Sequence, residues 1–431
     1  MVSKTNSYSV AVRLGLAFFM AITMWIYVQH ILIPYQLSQG PMRQSPRGNL
    51  SDLYPRWLGA RELLLHHRNP YGADITREVQ IGYYGRLLDP NRPGDPIDQQ
   101  GFAYPVYVVL LLAPTVMLPF FVVQKVFVWL LAVLTAGSLF LWFRALNWRA
   151  SRSTICIWIL LTLGCFPAIE GMKLQQLSLL VAVFIAAAMA ALVRGRLAVA
   201  GVLLALASIK PQLVFLVMIW LCIWATGDWR RRQRLVWSFA LTMTFLVAAG
   251  EILLPGWIAQ FRTAMRDYYH YTGGGSVLDV LLSPIVGRIG SAILIVMVFM
   301  FAWRSRRTQE DTPSFQWSLS FTLATTLLVI PMFAPYNQLL LLPALMLILR
   351  AGRELWKNPA SQFFCSITAV LVLWPFFAAA CLVIALIFLP GSTVQKAWIL
   401  PLFSNFHIPI AIYALLLASR SSLACSPETS S

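Results

Sequence analysis

Charge is what this sequence has least of. Charged residues make up 11% of its 431 positions, where a soluble globular chain carries roughly 25%. Acids are the scarcer sign, 16 against 33 lysines and arginines. No Walker A loop, no GxGxxG ahead of a strand, no HExxH and no GxSxG occurs. Their absence removes P-loop phosphate binding, dinucleotide binding, zinc peptidase chemistry and the nucleophile elbow from the readings. The six cysteines, Cys156, Cys165, Cys222, Cys365, Cys381 and Cys425, form no CxxC and no ligand spacing, and five lie in or beside apolar runs. They read as small apolar side chains, neither disulfide nor zinc. The pair His66-His67 has no second His or Cys at ligand spacing, so no metal is expected.

What the sequence does have is oil. It is 59% hydrophobic, its mean hydropathy is +0.71, and apolar runs of bilayer-crossing length recur from end to end. The runs are continuous and do not alternate, which excludes a membrane β-barrel. The class is an all-α polytopic membrane protein. The net charge of +17 then reads as loop arginines at helix ends, and no nucleic acid partner is expected.

Twelve spans are expected. They fall at about Leu14–Ile33, Tyr104–Leu118, Val123–Phe143, Thr154–Pro167, Leu177–Val193 and Val199–Ile223, then Leu235–Leu254, Ile285–Trp303, Phe315–Phe333, Leu339–Leu349, Phe363–Leu389 and Ala397–Leu417. The first is preceded by Lys4 and Arg13 and is too long for a signal-peptide core, so it is expected to stay. Basic loops set the orientation. Arg230 to Arg234, Arg304 to Arg307, Arg350 to Lys357 and Arg420 share one face, read as cytoplasmic, together with the polar tail 419–431. Two basic turns, Arg144 to Arg152 and Arg194 with Arg196, fit that face only if Phe102–Phe121 is re-entrant and the run around Lys210 is broken.

The segment 38–101 then lies outside, as does a second loop at 255–284. The first loop carries seven of the sixteen acids: Asp52, Glu62, Asp74, Glu78, Asp89, Asp95 and Asp98. Leu53, Trp57, Ala60 and Leu64 repeat at helical spacing, with Pro55 in the first turn and Ser51 or Asp52 as cap. Asn69-Pro70-Tyr71-Gly72 breaks this helix, and a second runs from Asp74 to about Arg86. Two short amphipathic helices along the membrane face, strapped back by Asp89 to Pro96, are expected.

The aspartate beyond span 1, followed by YPRWLGARELLLHHRNPYG, YYGR and FAYPVYVVLLLAP, resembles the membrane glycosyltransferases of the GT-C fold. Within them it is similar to the family of polyprenyl-phosphate-mannose-dependent α-mannosyltransferases, glycosyltransferase family 87. KLQQLSLL at Lys173–Leu180, ASIKPQLVFL at Ala207–Leu216 and APYNQLLLLPAL at Ala334–Leu345 agree with it. Family members typically show Gly-Gln ahead of the fifth span, where this chain has Gln175-Gln176.

The resemblance implies a reaction. A hexose, mannose foremost, moves with inversion from a polyprenyl-phosphate donor to a hydroxyl of a lipid or glycan acceptor, outside the plasma membrane. A carboxylate must take the acceptor's proton and cations must steady the departing phosphate. Arg and Lys suffice for a monophosphate, so neither a metal nor any other cofactor is expected. Asp52 sits where the family places its catalytic aspartate; it equally fits a plain helix N-cap.

Arg56, four residues on and on the same helical face, can orient that carboxylate, meet phosphate or form an ordinary ion pair. Lys210 lies in a long apolar run ahead of Pro211; an ionisable residue there is costly and points to function, unless it snorkels or sits in a loop. Glu170 and Lys173, at a span junction, read as a pair. Tyr83, Tyr84 and Arg86 either line a sugar site or anchor the loop at the interface. Tyr104-Pro105 is a turn that would border the site. His270, in the stretch Asp267 to Tyr271 before Gly273-Gly274-Gly275, belongs to a hinged flap or a merely flexible turn. Tyr336, Asn337 and Gln338 offer polar contacts at the start of a span.

Two other classes compete. A transporter or flippase for lipid-linked glycans would place polar residues at the bilayer midplane in two related halves; no such repeat is visible, and the carboxylates gather in one loop. A surface-polysaccharide polymerase or ligase would carry a larger late loop than 255–284. No domain large enough for a nucleotide sugar is present, which favours a lipid-linked donor.

Overall fold

Lipid offers backbone amides nothing to bond, so apolar runs of this length close their hydrogen bonds on themselves. A computed structural model describes residues 2–42, 51–89, 91–92, 95–96 and 98–424, and every regular element among them is a helix. Cys425 with the rest of the tail, Pro90, Pro93 and Gly94 of the strap, and the side chains of Lys4 and Tyr271 lie outside what is described. The five cysteines that are described are unpaired.

In chain order, α1 (Val2–Tyr27) runs through a π-helical turn, Val28–Leu32, into α2 (Ile33–Met42). The first loop holds α3 (Tyr54–His66) and α4 (Ala73–Tyr84). A short α5 (Val108–Leu112) precedes α6 (Phe120–Ala145). Next come α7 (Arg152–Gly164) and α8 (Phe166–Lys173), bent by 57° against each other, then α9 (Leu177–Val193), α10 (Leu197–Ala207), α11 (Pro211–Thr226) and α12 (Trp229–Leu253). The second loop holds α13 (Trp257–Thr272) and α14 (Val277–Leu281). The chain returns through α15 (Pro284–Ser305), α16 (Pro313–Val329), α17 (Leu342–Arg350), α18 (Gly352–Leu355), α19 (Pro359–Phe388), α20 (Gly391–Gln395) and α21 (His407–Ala418).

By length and composition six stretches are fit to cross a membrane: 9–38, 120–145, 229–253, 284–305, 359–388 and 391–418. The bent pair α7–α8 makes a seventh, and α9, α10 and α11 are shorter apolar helices beside them. This is a polytopic membrane protein. Small residues let the helices approach closely. A Cβ at Gly201 of α10 would lie 2.4 Å from the Leu235 carbonyl of α12, and one at Gly164 of α7 would lie 2.4 Å from Ala21 of α1. Polar caps start the helices where the chain leaves lipid: Ser151 accepts from the Thr154 amide, Asp228 from Arg231 and Thr312 from Phe315.

Two stretches differ from their sequence reading. Residues 104–118 do not traverse the bundle. Their helix is five residues long, Tyr107 bonds Ser208, and the Thr115 carbonyl accepts from Trp57 of α3. Pro105, Pro114 and Pro119 punctuate the run, and proline cannot continue a helix. The run 199–223, read as one span, is broken at Ser208–Lys210 into α10 and α11. One pass is lost and one is gained. The end-to-end alternation therefore carries Arg144 to Arg152 and Arg194 with Arg196 to the same end as Arg230–Arg232. Contacts hold that end together: Arg350 donates to the Leu146 carbonyl at 2.6 Å and Arg232 to the Arg306 carbonyl at 2.6 Å.

The first loop also differs in character. α4 is amphipathic, with Ile75, Val79, Gln80, Tyr83 and Tyr84 turned inward. α3 is not: it is buried on most sides, from Pro55 through Ala60 and again at Glu62 and Leu63. It packs under α5, with Trp57 and Tyr54 against Phe120. Its many apolar positions serve two neighbours, which a single-face pattern does not anticipate.

Candidate active site

Three non-helical turns meet at the end of the bundle away from the arginine clusters. The first is Ser51–Leu53, ahead of α3; the second is Leu174–Gln176, between α8 and α9; the third is Ser208–Lys210, between α10 and α11. Backbone and side chains tie the first two. The Asp52 amide donates to the Leu174 carbonyl at 3.0 Å, and the Ser51 hydroxyl donates to Gln175 Oε1 at 2.6 Å. Gln175 stands at φ +49°, a left-handed backbone that favours glycine. Its own amide offsets that strain by donating to the Met172 and Lys173 carbonyls at 2.9 and 2.6 Å.

Gln176 joins the three turns. Its Nε2 donates to Asp52 Oδ2, and its Oε1 accepts from Lys210 Nζ at 2.9 Å. A second acceptor for Lys210 is the Ser178 hydroxyl at 2.6 Å. An ammonium carries three protons, and two are used in this way. The Lys210 amine also lies 5.6 Å from the centre of the Tyr104 ring and 5.2 Å from that of Tyr336. Arg56 faces the same Tyr104 ring at 4.8 Å. Aromatic faces attract cations without taking their charge, but burial, with Arg56 close by, pushes the Lys210 pKa down to about 7. Arg56 Nη1 donates to the Asp52 backbone carbonyl at 2.7 Å, and its buried Nε has no partner.

Asp52 does not cap α3, whose start carries no side-chain cap; the carboxylate is turned to Gln176 instead. Burial pushes its pKa above the ordinary aspartate range, against the opposing pull of Arg56, Lys210 and the Gln176 hydrogen bond. A carboxylate raised in this way is a stronger base at neutral pH.

A cavity of about 490 Å³ opens onto this cluster. Arg56, Tyr104, Gln176, Lys210, Tyr336 and Asn337 line it, and the buried Asn337 Oδ1 has no partner. Asp52 stands behind that wall, one hydrogen bond away through Gln176. The far side is α13, through Phe261, Met265 and Tyr268, with Gly273 and Gly275 at its end. Gly256, Gly273 and Gly274 take positive φ of 73°, 76° and 54°, so α13 is flanked by backbone that only glycine adopts freely. The Met332 amide pins Gly275 at 2.9 Å.

The other expected site residues lie elsewhere. Tyr83 and Tyr84 pack edge-on, with Tyr84 bonded to the Asp98 carbonyl, and Arg86 pairs with Asp95. Gln338 donates to the Asn405 carbonyl, and His270 is exposed on α13 outside the cavity wall. Lys173 bonds Gln29 and faces Trp25, leaving Glu170 Oε2 buried without a partner. Sequence reasoning passed over Gln176. Its signal was two consecutive amides at the mouth of an apolar run, polar groups that a bilayer tolerates only when paired.

Fold and site together define a class: a polytopic membrane protein with a cationic cavity and a carboxylate at one end. The family model for glycosyltransferase family 87 matches residues 102–331. The chain belongs to that family and is a membrane glycosyltransferase. Gln176 and Lys210 fall inside the match, while Asp52 and Arg56 precede it. No curated protein and no solved structure matches the chain.

Proposed function

We propose that this glycosyltransferase moves a hexose, mannose foremost, from a polyprenyl-phosphate donor to an acceptor hydroxyl at the extracytoplasmic face of the plasma membrane, with Asp52 as general base. The observation that carries the reading is the Gln176 bridge, which sets a carboxylate and an ammonium on either side of one amide. The acceptor O–H, reaching past Gln176, gives its proton to Asp52 as its oxygen bonds to the anomeric carbon from the face opposite the phosphate. The bond from that carbon to the phosphate oxygen breaks, and its electron pair leaves on the phosphate. Arg56 and the third proton of Lys210 receive the growing charge in a site poor in water, where such stabilisation is largest. Tyr104, Tyr336 and Asn337 line the space for the sugar.

The sidedness is supported by the arginines gathered at the other end, which this reading takes as the cytoplasmic face. The apolar part of the cavity lining, Ile209, Ile330, Met332 and Phe333, is in keeping with a donor dissolved in the bilayer. Two fixed cations serve a monophosphate leaving group without a divalent ion, so transfer is expected to proceed at an unchanged rate in excess chelator.

The test is transfer by purified protein from a synthetic polyprenyl-phosphate hexose. Asp52→Asn should lower it by roughly 10²–10⁴-fold while expression and membrane insertion stay intact. Retained transfer would remove Asp52 from the role, and a donor preference for nucleotide sugars would remove the lipid-linked reading.

A further inference from the structure

A second cavity of about 640 Å³ lies on the other side of α13, well inside the roughly 300–1,000 Å³ range of small-molecule sites. Its walls come from α4 with the turn before it, residues 87–88 and 99–103, and α13. α4 contributes Thr76, Arg77 and Gln80, the connecting segment Gln99, and α13 Gln260, Thr263 and Asp267. Tyr71 and Phe102 add aromatic faces, their rings 5.2 Å apart and edge-on.

The chemistry of this lining is unlike that of the smaller cavity. There, two cations are partnered by amides, hydroxyls and ring faces, which suits an anion. Here the one arginine is balanced by the one aspartate from another wall, and the remaining polar lining is amide and hydroxyl. Several of them already bond one another or the backbone, Gln80 to Gln99 and Thr76 to the Gly72 carbonyl, but amides and hydroxyls keep further lone pairs and protons that match the hydroxyls of a sugar, while the aromatic faces suit its C–H surfaces. A neutral, hydroxyl-rich ligand is the match.

The two cavities share a partition. Ala103 lines both, and α13 turns Gln260, Thr263, Ala264 and Asp267 to one side and Phe261, Met265 and Tyr268 to the other. These are two faces of one helix at helical spacing. A ligand seated in the larger cavity would have to extend past Ala103 to reach the smaller one.

We infer that the larger cavity binds the saccharide portion of a glycan acceptor, at least two sugar residues long, and feeds its terminal hydroxyl toward Asp52. Calling the ligand an acceptor rests on the transfer reading above; calling it a saccharide rests on the lining alone.

The experiment uses the full-length protein with alkyl glycosides carrying one, two or three hexose residues. Thr263 is exposed on α13, so Thr263→Trp fills the cavity without entering the packed interior. The ratio of the apparent Kd for the trihexoside to that for the monohexoside should rise by about tenfold or more. Arg77→Ala, from the opposite wall and also exposed, should raise the same ratio by about threefold, which guards against a folding defect in the first variant. Thermal melting reports that both variants are folded. If no glycoside binds the wild-type protein, or if both variants leave the ratio unchanged, the inference is overturned. Length-dependent binding without sugar transfer would sustain the saccharide site and sink the transfer reading. Transfer with a length-independent response in both variants would do the reverse.

Discussion

The two ends of the bundle both bury cations, and they treat them differently. At the arginine end the side chain of Arg232 is consumed by structure. Its Nη1 donates to the Trp224 and Arg306 carbonyls at 2.8 and 2.6 Å, its Nη2 to Thr308 at 2.7 Å, and its plane lies 3.8 Å over Trp224. Those bonds fasten α11 to α12 and to the turn after α15, where Gly227 approaches so closely that a Cβ would fall 1.9 Å from the Arg306 carbonyl. At the other end Lys210 and Arg56 face ring planes, an amide and a hydroxyl, and they border a cavity. A buried cation tied to three carbonyls of neighbouring elements is a fastener, even with its Nε unpartnered as in Arg232. One that borders open volume is a receptor for an anion.

The sharpest way to break this comparison is to neutralise one cation at each end. Lys210→Met should cost roughly 10²–10³-fold in transfer, the scale of losing a preorganised donor to a charged leaving group, with little change in thermal stability. Arg232→Met should do the opposite. It strands buried carbonyls, at about 1–3 kcal/mol each, and lowers the melting midpoint, while turnover per folded molecule holds. Equal catalytic losses at the two ends would mean that the distinction between fastener and receptor is empty.

That contrast also shows what the sequence could carry. Lys210 was legible because a lone cation ahead of proline in an apolar run has few structural excuses. Asp52 was legible because acids are scarce and concentrate in the first loop. Arg232 looked like any other basic loop residue, since nothing local says that three carbonyls will converge on it from α11, the turn after α15 and beyond. The misplaced span at 104–118 has the same root. Apolar length measures what must be hidden from water, and a segment folded back among helices hides as well as one that crosses them. Proline at 105, 114 and 119 was the available warning. In 199–223 the warning was Lys210-Pro211, and the sequence allowed the break without requiring it. The larger cavity was invisible because its walls, α4 and α13, lie nearly two hundred residues apart.

A second test sharpens the description of the base. Burial pushes the Asp52 pKa above the ordinary aspartate range, so the acid limb of log(kcat/KM) against pH should lie above that range in the wild-type enzyme. The Gln176 hydrogen bond favours the ionised carboxylate and lowers that pKa from what burial alone would give. Removing it in Gln176→Ala should therefore move the limb to higher pH, since the proton is then lost less easily. Stability follows the same sign. A carboxylate whose folded pKa is raised opposes folding once it ionises, so this site should destabilise the fold as pH rises through the ordinary aspartate range toward the raised value. A limb that moves down in Gln176→Ala, or not at all, would place the base elsewhere.

The smallest effect is expected where the cavity wall is hinged. Gly274 stands at φ +54°, and a Cβ there would lie 2.2 Å from the Tyr269 ring. Gly274→Ala therefore strains the backbone, at about 1 kcal/mol or somewhat more, and pushes Tyr269 away from the turn that ends α13. If α13 must shift for substrate to enter, kcat and KM should change together by a few-fold, with the acid limb unmoved because Asp52 and Gln176 are untouched. A change in stability alone would leave α13 a fixed wall, and entry to the cavity would then have to lie along its membrane side. That outcome would turn the contrast between the two ends into one between two rigid structures, distinguished only by which cations border open volume.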